Sequence, residues 1–255
     1  MKPKLLLIDG LNLVRRLHAA VPGEAAEDLK RRCLGALDKA LRQHKPSHAI
    51  LVWDGGHERS WRRALYPEYK AHRKPMPEDL AKALPLLDDG FAQQGVRSVK
   101  QADLEADDLI ATLASKVADA GGEVVILSTD KGFGQLLGAG IGQWDHFEGH
   151  WIDAELLAAK LGVPQPRLLD YWALAGDSGN GIPGVPGVGK KTAQDLVARF
   201  DSLKAMFAED AVEGKLGERL RSHQDEARLS YRLVRLKKDI QLQLNLSQFR
   251  LGRHP

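Results

Sequence analysis

The chain has 255 residues, 43% hydrophobic and 28% charged, an ordinary globular composition long enough for a full core and a second module. Its 37 Lys+Arg against 34 Asp+Glu leave a net charge of only +3, so the class of partner is read from where the charges gather. The single cysteine, Cys33, excludes an internal disulfide and a thiolate zinc cluster and fits a reducing cytoplasm, and no apolar run suits a signal sequence or a membrane span.

In chain order, the run KLLLI predicts a buried parallel strand that ends at Asp9-Gly10, with Asn12 turning the chain. An amphipathic helix from about Glu27 to Gln43 follows, stopped by Pro46. The strand HAILVWD repeats the first design and ends at Asp54, an acid at the carboxyl end of a strand, where open α/β sheets keep their ligands. Between Ser60 and Pro77 the chain is basic, with Arg62, Arg63, Lys70, Arg73 and Lys74 interleaved with Trp61, Tyr66 and Tyr69. That mixture suits a phosphate backbone and exposed base faces. A helix from Glu78 to about Gln94 leads to a short strand, Val96 to Val99.

The stretch LEADDLI then crowds Glu105, Asp107 and Asp108 into the first turn of a predicted helix. Another strand, EVVILSTD, ends at Asp130. DKGFGQLL is read as starting a helix, a short strand or turn is expected near Trp151, and a helix from Ala154 to Leu161. Beyond Pro164 helices alternate with glycine-rich turns. In GDSGNGIPGVPGVGKKTAQDL, Gly187 and Gly189 punctuate a turn before Lys190, Lys191 and Thr192 open a helix, a combination suited to gripping phosphate. The last helix is expected over DEARLSYRLVRLKKDI.

Acids at so many strand and helix ends, Asp9, Asp54, Glu105, Asp107, Asp108, Asp130 and the turn residue Asp177, would repel one another unless hard cations sat among them. Oxygen-only ligands suit Mg²⁺ or Mn²⁺. Joined to phosphate-binding segments, they point to metal-assisted phosphodiester hydrolysis, with cations about 4 Å apart serving the attacking and leaving oxygens.

The blocks LLLIDG, VWDG, YPEYKAHRKPMP, LEADDLIATLA, STDKG, ALAGDSGNGIPGVPGVGKKTA and EARLSYRLVRLKKDI resemble, in order, those of bacterial 5′ nucleases. The chain is similar to the 5′→3′ exonuclease domain of DNA polymerase I and to flap endonucleases, most of all to the small type without a polymerase domain. The resemblance implies an α/β, PIN-like parallel-sheet core over residues 1–165, with a basic helical gateway at about 58–95. A helix-three-turn-helix module, akin to a helix-hairpin-helix, would occupy 166–255. It implies that Asp9, Asp54, Glu105, Asp107 and Asp108 hold a first cation, directly or through water. Lys70 and Arg73 would be the catalytic basic pair at the scissile phosphate. Gly187, Val188, Gly189, Lys190, Lys191 and Thr192 would bind duplex DNA, and a K⁺ would lie on the backbone carbonyls of Leu174, Ala175, Pro183, Val185 and Val188.

The sequence departs from the family at the second cation. Family members read D-K-D and G-D-S-x-D-N where this chain has Asp130-Lys131-Gly132 and Asp177-Ser178-Gly179-Asn180, leaving Asp130 and Asp177 for a weak, substrate-assisted site. The expected activity is cleavage of 5′-flap junctions in DNA, as made during lagging-strand replication, by a cytoplasmic monomer. The alternatives are a junction-binding protein with impaired catalysis and a PIN-type RNase.

Overall fold

The computed structural model of the chain describes residues 2–56, 59–138, 140–209 and 211–252; the first residue of the expected 58–95 gateway and both chain ends lie outside them. Contacts divide the chain into two units. Met1–Ser60, Lys74–Ile152 and Lys237–Pro255 make up the first, and Trp61–Arg73 with Asp153–Leu236 the second. The expected division placed 61–73 and 153–165 with the core and 237–255 with the module. The contacts group them the other way, because the last segment adds to the core: the Leu251 N–H donates to the Ser47 carbonyl at 3.0 Å, and Arg250 bridges His48.

The first unit is built on β1 (Lys4–Asp9), β2 (His48–Trp53), β3 (Arg97–Lys100), β4 (Glu123–Leu127), β5 (Ile141–Asp145) and β6 (His150–Ile152), in the order β3-β2-β1-β4-β5-β6. All neighbours are parallel except β5 and β6, which form an antiparallel hairpin. Leu5 lies opposite both His48 and Val124, so β1 is central, and Leu5 to Ile8 are wholly buried. Such a strand is covered on both faces, which explains the unbroken apolar run, each side chain contributing about 1.5–3 kcal/mol by burial. The chain runs outward from β1 to β3 and then jumps to β4 on the other side of β1. The carboxyl ends of β1 and β4 therefore flank the switch point of the sheet.

Helix α1 (Gly10–Ala20) was not foreseen. It begins directly at the end of β1, with Asp9 as its N-cap accepting from the Asn12 N–H at 3.1 Å. Helix α2 (Ala26–His44) buries Leu29, Cys33 and Leu37 as its spacing predicts, and Lys45 ends it in the left-handed region. In the basic segment lies α3 (Trp61–Leu65), followed in the first unit by α4 (Glu78–Gln93) and α5 (Ala106–Asp119). The stretch after Asp130 is a 3₁₀ turn, Lys131–Leu136, rather than a full helix.

In the second unit the elements are α3, α6 (Ala154–Leu161), α7 (Leu168–Ala175), α8 (Lys190–Arg199), α9 (Leu203–Met206), α10 (Gly214–Ser222) and α11 (Gln224–Val234). Helix α7 packs on α8 and α11, burying Tyr171, Leu174, Leu196 and Leu233. Helix α11 stops six residues short of the expected Ile240. The cause is Arg62, 2% exposed, whose Nε donates to the Leu233 carbonyl at 2.8 Å and whose Nη2 donates to Arg235 at 3.2 Å. A cation on the last carbonyls satisfies a helix end where the backbone turns extended. Among the described residues no helix is long and apolar enough to cross a membrane.

Candidate active site

In the first unit the acids gather at the carboxyl end of the sheet. Asp9 closes β1, is 6% exposed, and accepts from the Asn12 N–H and from the Ser128 hydroxyl at 2.9 Å. Burial pushes its carboxyl up to about 7; the charges of Asp54 and Asp130 add to the rise, while the two hydrogen bonds oppose it. Asp54 follows β2, and its Oδ1 accepts from the Ala106 N–H at 2.8 Å. It thus caps α5 from another element, in place of the N-cap residue Glu105, whose side chain makes no capping bond. Glu105 and Asp108 are buried and Asp107 is half-buried, so the three neighbours differ sharply in access. Asp108 Oδ1 accepts from the Lys237 N–H at 2.9 Å.

Asp130 stands beyond β4, accepting from the Gly132 N–H at 2.7 Å. Buried Gln143 fixes this loop by donating to the carbonyls of Ser128 and Asp130. A Cβ at position 132 would lie 3.1 Å from Asp130 Oδ1, so an acid there would add its charge beside Asp130. The rim holds residues that sequence reasoning missed. Asn12 and Thr129 join β1 to β4 by paired hydrogen bonds, and Arg16 donates to Thr129 Oγ1 at 2.8 Å while lying over the Phe147 ring. They were missed because α1, which carries Asn12 and Arg16, was not expected.

The donor set is oxygen-only and suits a hard divalent cation. Among the described residues no three of these side chains converge tightly enough to hold an ion, and Asp9, Asp54, Asp108 and Asp130 each accept from an N–H or O–H. Burial is the main cause of the raised Asp9 carboxyl; the charges of Asp54 and Asp130 add to it, and that part a cation beside them would relieve.

The second unit holds the basic residues and the glycine-rich turn. The expectation of basic and aromatic side chains open to a phosphate backbone and base faces is corrected at three positions. Arg62 is buried on α11, Tyr69 is 3% exposed in an apolar cluster with Ile182 and Leu233, and Lys70 is 8% exposed. Lys70 also sits in the left-handed region at φ +55, its N–H donating to the Asn180 carbonyl at 2.8 Å, and its Nζ lies 5.0 Å from the Tyr69 ring centroid. Arg73 is exposed, with Nη2 donating to Asn180 Oδ1 at 2.6 Å. Asp177 is tied into its own turn, accepting from the Gly179 N–H and from Asn180 Nδ2.

Of the carbonyls expected to hold K⁺, that of Leu174 accepts from the Val185 N–H at 2.8 Å and that of Val185 from the Val188 N–H at 2.9 Å. Positions 174, 185 and 188 are thereby gathered at one turn. A Cβ on Gly184, at φ +68, would stand 2.4 Å from the Gly176 nitrogen and 2.6 Å from the Leu174 oxygen. So close a backbone approach, at positive φ, leaves glycine as the residue that fits at 184. Helix α8 starts as predicted. Gly189 is its N-cap and offers no side chain to the first N–H groups, Lys190 and Lys191 are exposed, and Arg219 of α10 donates to the Gly187 carbonyl at 3.1 Å.

Comparison with known proteins agrees along the whole chain. Residues 4–162 match the family model for the 5′-3′ exonuclease N-terminal resolvase-like domain, and residues 163–254 that for the 5′-3′ exonuclease C-terminal SAM fold. The chain is 51% identical to Flap endonuclease Xni of Shewanella amazonensis, over 98% of both chains, and 50% identical to that of Shewanella baltica, over 97% of this chain and 95% of the other. Among solved structures, the T5 D15 protein co-crystallised with metal ions superposes with a TM-score of 0.77 at 19% identity, covering 91% of this chain and 89% of that one. The T5 D15 flap endonuclease complex with DNA and metal ions gives the same TM-score at 20% identity, over 91% and 88%. With both halves matched and half of all residues identical to full-length relatives, the chain belongs to the 5′→3′ exonuclease family that includes the Xni flap endonucleases.

Proposed function

We propose that this protein is a structure-specific 5′ nuclease that hydrolyses DNA at 5′-flap junctions with Mg²⁺ or Mn²⁺. The observation that carries the reading is the set of acids, Asp9, Asp54 and Asp130, at or just beyond the carboxyl ends of β1, β2 and β4 in a chain half identical to flap endonucleases. When bound, the cation would supply an activated water and a Lewis acid for the phosphodiester. Asp9, Asp54, Glu105, Asp107 and Asp108 are the residues we assign to it. Asp107, the half-buried one of the last three, is the side chain best placed for direct ligation. Buried Asp108 acts through its neighbours. The weaker second cation at Asp130 and Asp177 is an assignment from the family resemblance alone.

In the same reading, the open N-terminus of α8 with Lys190 and Lys191 grips duplex phosphates without reading bases, and the adjoining turn takes K⁺. Arg73 and Lys70 are assigned to the scissile phosphate from the family resemblance. Replication flaps are the natural substrate, a monomer in the cytoplasm the working form. A junction-binding protein without turnover is the second reading, favoured by one observation: Asp177 is held by Gly179 and Asn180, and Gly132 contributes no carboxylate.

The deciding experiment is a Mg²⁺ titration with K⁺ present on 5′-flap DNA labelled to separate junction cleavage from end trimming, with Asp107→Asn in parallel. Cleavage at the junction that rises with Mg²⁺ and vanishes in the variant is the expected result. Equal binding by both proteins with no cleavage at high Mg²⁺ or Mn²⁺ would establish the second reading, and preference for a matched RNA flap would mark an RNase.

A further inference from the structure

We propose that Asn180 is a positioning residue that sets Arg73 for substrate through its carboxamide, without help from a divalent cation. The inference rests on the flap-nuclease reading above.

The side chain of Asn180 stands between two charged groups of the second unit. Its Oδ1 accepts from Arg73 Nη2 at 2.6 Å, and its Nδ2 donates to Asp177 Oδ2 at 2.6 Å. A guanidinium can only donate and an ionised carboxylate can only accept, so the neighbours fix the orientation of the amide. The contact is reinforced from both sides. Arg73 Nε reaches the Gly179 carbonyl at 3.4 Å, the Gly179 N–H donates to Asp177 Oδ1 at 3.0 Å, and the Asn180 carbonyl takes the Lys70 N–H. The basic segment packs tightly here: a Cβ on Gly181 would lie 2.9 Å from the Glu68 carbonyl.

A carboxylate at 180 could still accept from Arg73, but it would face Asp177 across a hydrogen-bond distance with no proton to share. Two like charges so placed need a cation or a shared proton between them. The amide removes that requirement. Arg73 and Asp177 are held together by a neutral linker, so the arginine is ordered before any divalent ion arrives. Grip on DNA then does not depend on the divalent ion, whatever cleavage requires.

The test measures flap-DNA affinity, not turnover, for wild type, Asn180→Asp, Asn180→Ala, Arg73→Ala and the Asn180→Ala/Arg73→Ala double variant, in EDTA and in Ca²⁺ at fixed ionic strength. Wild type should bind within about threefold under both conditions. Asn180→Asp should bind about tenfold more weakly in EDTA and recover in Ca²⁺, a change of cation dependence that a merely structural role would not produce. Asn180→Ala should lose affinity about equally in both, and adding it to Arg73→Ala should cost little more, because both remove one interaction. Thermal melting identifies any variant that misfolds, and Asn180→Asp, which keeps the Arg73 acceptor, is the safer of the two. Multiplicative losses in the double variant, or equal binding of Asn180→Asp in EDTA and Ca²⁺, would overturn the proposal. Failure of wild type to bind flaps at all would instead sink the flap-nuclease reading.

Discussion

The buried carboxylate of Asp108 accepts from the backbone N–H of Lys237 at 2.9 Å, joining the first turn of α5 to a residue 129 positions later. One turn along the helix, Thr112 donates to the Lys237 carbonyl at 3.1 Å, so both backbone polar groups of Lys237 are bonded to α5. An acid that reads as a metal ligand is therefore also a fastener of the C-terminal segment.

Asp108 and Asp107 should separate under substitution. Asp108→Ala removes a charged acceptor from a part-buried N–H, a loss of about 1.5–3 kcal/mol. For a chain of this size that lowers the melting temperature by about 2–4 °C for each kcal/mol. Asp108→Asn keeps an acceptor and should lose less than half as much. Asp107→Asn, half-exposed, should leave melting within about 1 °C while abolishing cleavage. Equal melting of Asp108→Ala and wild type would show that the bond carries no stability.

Asp54 offers a similar division of roles through its cap on Ala106. Asp54→Ala loses both the cation response and a cap, at about 0.5–2 kcal/mol. Asp54→Asn retains an amide oxygen for the N–H and should lose the Mg²⁺ response while melting close to wild type. Identical melting of the two variants would mean that the N–H finds another acceptor.

These double roles mark where the sequence was legible and where it was not. The run Leu5 to Ile8 and the acids at strand ends could be read because a central parallel strand imposes its burial locally. Helix α1 escaped because its cap, Asp9, was already assigned to chemistry, and Gly10 beside it reads as a turn. The end of α11 was set by Arg62, 171 residues away from the Leu233 carbonyl it caps, which no local spacing records. The same arginine shows why a basic segment cannot be read as a phosphate tether residue by residue. Its aromatic neighbours and Lys70 are drawn into packing, leaving Arg73 at the surface.

Gly184→Ala tests the K⁺ assignment. At φ +68 an alanine is strained, and its Cβ would meet the Gly176 nitrogen and the Leu174 oxygen well inside contact distance. The strain and displaced backbone should cost about 1–3 kcal/mol. Wild type should melt higher in K⁺ than in equimolar Na⁺, and the variant should lose that difference along with flap affinity. A wild type indifferent to the choice of K⁺ or Na⁺ would remove K⁺ from the turn.

Mild acid should draw stability from the first unit through buried His44 and His146 and half-buried His48. His44 is 3% exposed, edge-on to Trp144 at 5.1 Å and Trp151 at 5.5 Å, and its Nε2 has no hydrogen-bond partner among the described residues. Burial, then the charges of Lys4 and His146, hold it below the ordinary imidazole range. Burial and Lys39, opposed by Asp145, do the same for His146, and burial with Arg250 for His48. A histidine whose pKa is lowered by folding is protonated more readily in the unfolded chain. Its contribution is therefore full above about pH 6.5 and lost as pH falls through that value towards the folded pKa. Asp9, pushed up to about 7, works in the opposite sense over the same range, so the histidine part is read as a difference: His44→Phe, which keeps an aromatic ring beside the tryptophans and removes the proton site, should gain melting temperature relative to wild type as pH falls from about 7.5 to about 5.5, offsetting part of the histidine loss. His44→Phe/His146→Phe should gain more, leaving His48. An unchanged pH slope in both variants would show that these histidines carry none of the pH dependence.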